Sequence, residues 1–198
     1  MKISSSKALA MVWELEKFSQ KLRAIKTRPA WQVQAEERLS GRLQEMFDGV
    51  FDDVIREFQS IGRVPSDPQT RRQILRFFAD AQENMADLTS EEAAAIAQRG
   101  RNSVIARLQR QGISISYDEV PTDILNAIRN RIFEASARTM ERISGNVMEV
   151  LANCYEQGLS IFDTMEELRG AFTNIRDHEL RTIARTEIQG TNNQAEVS

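Results

Sequence analysis

The residues in this chain that could do chemistry are few and scattered. One cysteine, Cys154, and one histidine, His178, occur in 198 residues, so an internal disulfide is excluded and no thiol–imidazole metal set exists. Cys154 falls at an apolar helical position, where cysteine serves as a small buried hydrophobe. His178 stands between Asp177 and Glu179 near a helix start and reads as a surface residue. The carboxylate pairs Glu36–Glu37, Asp52–Asp53 and Glu166–Glu167 are sequence neighbours. Neighbours on a helix diverge by about 100°, so local geometry makes none of them a converging acid–base dyad. No HExxH, CxxC or GxSxG occurs, and no glycine-rich phosphate loop follows a strand. The expectation is a chain that is not an enzyme and uses no metal, cofactor or small-molecule substrate.

One carboxylate stands out by position. In LRTIARTEIQGTNNQAE, Leu180 to Glu196, the residues Leu180, Ile183, Ala184, Glu187, Ile188, Thr191 and Ala195 share one side of a helix. Glu187 therefore points where a core should be, and stripping a carboxylate of water costs several kcal/mol unless it is paired. Arg129, Arg138 and Arg142 of the preceding long helix are the nearest expected partners. If the partner were left stranded, Glu187→Ala would cost about 3–5 kcal/mol. Arg181 and Arg185 lie on a flank away from Glu187.

A second cationic group, Arg99, Arg101, Arg107 and Arg110, sits in RGRNSVIARLQR. It reads either as a solvated helix face or as a phosphate-binding patch, and no aromatic residue interleaves to stack bases. The net charge is −3 and the pI about 5.4, so the whole-molecule field does not recruit nucleic acid. Residues 1–112 hold 18 basic and 15 acidic groups and residues 113–198 hold 8 and 14. All five lysines precede residue 27; every later cation is arginine, which suits planar, bidentate pairing at protein interfaces.

The elements that must position these groups are helices. Only 9 Gly and 4 Pro occur, with 7% aromatic residues, a composition that predicts an all-α, elongated multi-helix protein with long amphipathic helices and at most one short extended segment near 113–117. Ala8, Met11, Leu15, Phe18, Leu22 and Ile25 form a heptad seam, to be buried by another helix of this chain or by a partner chain. Pro29 opens a second helix carrying Leu39, Leu43, Phe47, Val50, Val54, Phe58 and Ile61. Asp67 and Pro68 open a third, with Ile74, Phe78, Ala81, Met85 and Leu88 inward. TSEE, from Thr89 to Glu92, is a capping-box pattern that predicts the start of a fourth, ending at Gly112.

Ile113, Ile115 and Tyr117 alternate as in a strand, which predicts an extended linker or a strand completed by another molecule. The longest helix then runs from Pro121 to Gln157 with Ile128, Ile132, Met140, Ile143, Val147, Val150 and Cys154 inward, and Gly158 is placed for a left-handed cap. A short helix around 164–172 and the Glu187 helix follow. The expected organisation is an N-terminal helical region over 1–112 (the heptad helix plus three more), a linker over 113–120 and a helical core over 121–198. No run reaches the roughly 18 apolar residues of a membrane span, so a soluble protein without membrane contact is expected.

The order VLANCYEQGLS, then MEELRGAF, then LRTIARTEIQGTNNQAE resembles the phage minor head proteins related to Mu protein F, the head morphogenesis proteins. In that family a helix, an xxGxS turn and a short helix precede an AxxIARTExxxxxN segment. Gly158, Ser160, Ile183, Ala184, Arg185, Thr186, Glu187 and Asn193 match the pattern. The resemblance covers roughly Val120–Glu196; relatives usually continue past this helix into a region containing a histidine, and activity located there is not credited to these residues. It implies a virion component of a tailed phage, assembled in the host cytoplasm, that docks at the portal vertex and supports head morphogenesis and genome packaging or ejection. The implied partners are the portal protein and the major capsid protein. Docking would use the seam residues Met11, Leu15, Phe18, Leu22 and Ile25 together with Ile113 and Ile115. The reading from another class is a helical protein acting on packaged double-stranded DNA through Arg99, Arg101, Arg107 and Arg110 or the Arg181–Arg185 flank.

Overall fold

A computed structural model of the chain describes residues 29–65, 67–114 and 119–197, with side chains to Asn193. The seam Met11–Ile25 and the residues Ile115 and Tyr117 lie outside the described residues. Every described element is helical: α1 Ala30–Ile61, α2 Pro68–Arg110, α3 Thr122–Glu156, α4 Ile161–Asn174 and α5 Leu180–Val197, with a π-helical stretch Ile175–Glu179 joining the last two. The protein is all-α, and no strand occurs among the described residues. The chain divides into two compact units, Met1–Gln34 and Ala35–Ser198. In the first, α1 starts where Pro29 O accepts from Gln32 N at 2.9 Å.

In the second unit, α2 packs along α3 and along α5, and α4 packs on α3. Helices on both sides of the 113–120 connection therefore share one unit. The expected stripes form its core: Leu39, Leu43, Phe47, Val54 and Phe58 from α1, Ile74, Phe78, Ala81 and Met85 from α2, and Ile128, Ile132, Met140, Ile143, Val147 and Cys154 from α3 are all buried. Ile61, Leu88 and Val150, expected inward, are half-buried, and Leu151 takes the inner position beside Val150.

The helix ends follow local chemistry. Asp67 accepts from Thr70 N at 2.8 Å and starts α2 with Pro68 in its first turn; that hydrogen bond, with one from the Thr70 hydroxyl, holds the Asp67 carboxyl below its ordinary range. Gly112 (φ 81°) and Gly158 (φ 66°) supply the left-handed residues that end α2 and α3. The next amides turn back, Ile113 N to Leu108 O and Leu159 N to Cys154 O, each at 3.0 Å.

Two expectations fail for identifiable reasons. The TSEE pattern does not start a helix; α2 runs through it from Pro68 to Arg110. Nothing before Thr89 breaks the helix, and continuing it keeps Met85, Ala86, Thr89, Ala93, Ile96 and Ala97 on one buried face. Glu92 reaches Arg38 at 3.2 Å and Arg42 at 3.8 Å instead, and Glu91 reaches Arg42 at 2.6 Å, so the two glutamates tie α2 to α1. Likewise α4 and α5 are not separated by a loop. Their buried residues step by four or three (Thr164, Leu168, Phe172, Ile175), then by five to Leu180; the wider turn of the π-helical stretch absorbs the extra residue and returns Leu180 to the inner face.

Gly49 lies exposed within α1, and a Cβ added there meets nothing within 4 Å. Gly49→Ala is expected to raise stability by about 1 kcal/mol, the propensity difference in a helix interior, measured by urea denaturation.

Candidate functional site

The segment that carries the sequence pattern forms one wall of a cleft. On α5, Leu180, Ala184, Ile188 and Thr191 are each fully buried against the rest of the unit. Glu187 sits at the edge of this stripe with its side chain 12% exposed. Opposite lies a row on α3 at helical spacing, Arg131, Ala135, Arg138 and Arg142, running beside the buried stripe of Ile128, Ile132, Ser136 and Met140. Between α2, α3 and α5 lies a cleft of about 370 Å³, bordered by Ala135, Arg138 and Arg142 of this row and by Glu187. Met85, Ile132 and Ala135 give it apolar surface, Thr89, Ser136, Thr139, Thr182 and Thr186 give hydroxyls, and Arg138, Arg142 and Glu187 give charge.

Glu187 is paired, but by Arg131 rather than by Arg129, Arg138 or Arg142. Arg131 Nη2 lies 3.1 Å from Glu187 Oε2 and donates a hydrogen bond to Thr191 Oγ1 at 3.1 Å. Glu187 Oε2 itself has no hydrogen-bond donor among the described residues. Gly190 leaves room for the end of the Arg131 side chain, because a Cβ there would run into Arg131 Nη1. Arg142 instead binds Glu179 at 2.7 Å, a contact that raises the arginine's pKa further. Arg138 acts on Glu187 through its field alone, and Arg129 lies with Phe133 beside a different surface hollow.

Burial pushes the Glu187 carboxyl above the ordinary glutamate range, against the opposing pull of Arg131 and Arg138. Desolvation outweighs attraction here, and the sign of its effect on stability follows. Below the unfolded-state pKa the group is protonated in both states and contributes nothing. As pH rises from about 4.3, the unperturbed glutamate value, through the raised folded value, the unfolded chain ionises first and stability falls. Glu187→Gln is therefore expected to remove this decline and to match or exceed the wild type in stability at pH 7.5. Urea denaturation of both proteins at pH 4 and pH 7.5 checks it; a larger loss for the variant at pH 7.5 contradicts it. The charge on Arg131 is not stranded in such variants, since that side chain is 38% exposed.

The other pattern residues divide by role. Ile183, Thr186 and Glu187 converge on the cleft, Ala184 faces the core, and Arg185 and Asn193 are exposed. Gly158 and Ser160 form the corner between α3 and α4, roughly 24 Å along α3 from Arg142 at 1.5 Å per residue. There Ser160 Oγ accepts from Asp163 N at 3.1 Å and donates to Asp163 Oδ2 at 2.6 Å, capping α4.

Arg99, Arg107 and Arg110 fall within roughly 80° of one another on the exposed side of α2, and Arg101 alone departs from them. At about 100° per residue Arg101 points roughly 200° from Arg99; Arg110 Nε bonds its own helix at Ala106 O, 3.1 Å away. Arg181 and Arg185 are exposed on α5. Cys154 is 3% exposed, and burial pushes its thiol up, away from the thiolate. His178 is exposed. Among the described residues no group of His, Cys, Asp or Glu could hold a metal ion, and no helix is long and apolar enough to cross a membrane.

Sequence reasoning placed Thr191 in the inward stripe but missed its bond to Arg131, and it missed the roles of Arg131, Glu179 and Gly190. The signal for Arg131 was present in the arginine row at spacings of seven and four, which continues toward the start of α3. No family model, curated protein or solved structure matches the chain.

Proposed function

We propose that this chain is a non-enzymatic minor head protein of a tailed phage, docking at the portal vertex and supporting head morphogenesis and genome packaging or ejection. The observation that carries the reading is the order of parts along residues 120–196. A long helix closes on a Gly–x–Ser corner, a short helix follows, and the IARTE segment comes last. Most of the matched residues have a physical role in that arrangement. Gly158 and Ser160 set the corner, Ala184 seals the core, and Ile183, Thr186 and Glu187 shape a cleft.

The surface supports a docking role. Phe133, Tyr155 and Phe162 are 51%, 51% and 67% exposed, and large aromatic side chains left in water are the residues that protein interfaces preferentially cover. Tyr155 and Phe162 flank the Gly158 corner in sequence, so a portal subunit covering that corner would bury both.

The test is co-purification of the chain with portal protein, repeated for a Phe162→Ser, Tyr155→Ser double variant. Retention of the wild type on portal rings and its loss in the variant are expected. A chain that never associates with portal protein refutes the proposal. So does salt-sensitive binding to duplex DNA in its place, with a log–log slope of about −0.9 per neutralised phosphate.

A further inference from the structure

We propose that the cleft between α2, α3 and α5 binds the carboxylate side chain of an acidic, apolar-flanked peptide segment on a protein partner. The inference rests on the docking reading for the source of that peptide, while the ligand chemistry rests on the cleft alone.

The charges around the cleft nearly cancel in pairs. Arg131 answers Glu187 at 3.1 Å and Arg142 answers Glu179 at 2.7 Å. Arg138 remains, exposed at the cleft, with no hydrogen bond or close ion pair among the described residues. A cation answered only through the field of Glu187, with no contact partner, and set beside low-dielectric walls attracts an anion more strongly than one on open surface. Arginine also offers a planar fork that two carboxylate oxygens can engage together.

The walls narrow the choice of anion. Met85 and Ile132, 1% and 0% exposed, line the cleft with Ala135 and give the methylene stem of a ligand an apolar bed. Thr89 lines it too, 1% exposed, and its hydroxyl has no hydrogen-bond partner among the described residues. A buried hydroxyl without a partner is costly, and a ligand oxygen reaching the floor would relieve that. A phosphate-bearing strand fits poorly, since Glu187 forms part of the wall and repels a multiply charged group more strongly than the single charge of a carboxylate. A second cation fits poorly as well, because Arg138 would meet it. One carboxylate on a short aliphatic stem satisfies Arg138, the apolar bed and the hydroxyl together, and about 370 Å³ is enough for a side chain or two.

The experiment uses the full chain with labelled methyl groups and follows the NMR signals of Met85, Ile132 and Ile183. The probe is an N-acetylated, C-amidated Leu-Glu-Leu peptide, compared with its Leu-Gln-Leu counterpart and with hexanoate. Saturable shifts are expected with the glutamate peptide. Affinity is expected to fall roughly tenfold for the glutamine peptide and for Arg138→Gln, the scale of one lost charge-assisted hydrogen bond. Arg138→Lys should recover part of it, and Arg181→Gln, on the exposed flank of α5, should change nothing. Absence of saturable shifts, equal affinity for the two peptides, or unchanged binding by Arg138→Gln overturns the proposal. Tighter binding of hexanoate than of the peptide overturns it in favour of a lipid-derived acid. Peptide binding by a chain that ignores portal protein would refute the docking reading and leave the cleft assignment standing.

Discussion

Phe172→Ala is expected to lower the unfolding free energy by about 3–5 kcal/mol, the range for deleting a buried aromatic ring. Phe172 is 4% exposed on α4, and its ring centroid lies 4.6 Å from Phe51, 5.5 Å from Phe47 and 6.2 Å from Phe78. Two of those rings come from α1 and the third from α2, so one side chain fastens three helices. The polar contacts nearby cannot replace it. Arg176 reaches Asp48 at 3.5 Å with both side chains about half exposed, and exposed ion pairs contribute about 0–1 kcal/mol. Gln44 Nε2 adds one hydrogen bond to Arg176 O at 3.3 Å. Urea denaturation of the variant, with the slope compared to wild type, measures the loss; a change below about 1 kcal/mol would mean the cavity collapses and that α1 is held elsewhere.

The second large effect separates two explanations of how the last helix is held. Ile188→Ala is expected to cost about 2–5 kcal/mol, because Ile188 is fully buried between Ala184 and Thr191 on the inner face of α5. Glu187→Gln, one residue away, is expected to show no comparable loss at neutral pH. A carboxylate whose desolvation outweighs the pull of Arg131 and Arg138 is not what holds the helix. The stripe of Leu180, Ala184 and Ile188 does that, and Glu187 is carried inward beside it. Equal losses in the two variants would assign the fastening to the ion pair instead.

The difference bears on what was legible in the sequence. Apolar spacing marks the buried faces of α1, α2 and α3 almost residue for residue, because burial of a stripe is a repeated, additive signal along a helix. Helix starts written in strong local chemistry, such as Asp67 with Pro68, were legible too. The capping-box pattern at Thr89 misled because the same four residues are compatible with a helix interior, and only the packing of Ala86, Ala93 and Ala97 decides between them. The joined α4 and α5 were hidden for a related reason: a five-residue step from Ile175 to Leu180 looks like a break unless a wider turn absorbs it. At the candidate site, the inward position of Glu187 followed from the wheel. Its partner did not, since the choice among arginines on α3 depends on the rotation of one helix against another and on the space that Gly190 leaves for Arg131. Of the four arginines near the end of α2, helix geometry keeps Arg99, Arg107 and Arg110 on one exposed face and turns Arg101 away, a division that closeness in sequence does not show.

Docking onto the portal is the claim on which the functional account turns, and sedimentation measures it most directly. Purified chain mixed with assembled portal rings is layered on a gradient at moderate salt, and each fraction is assayed for both proteins. The account predicts that the chain travels with the rings and that the Phe162→Ser, Tyr155→Ser variant stays behind. A wild-type chain that remains at the top of the gradient while the rings sediment alone would contradict it.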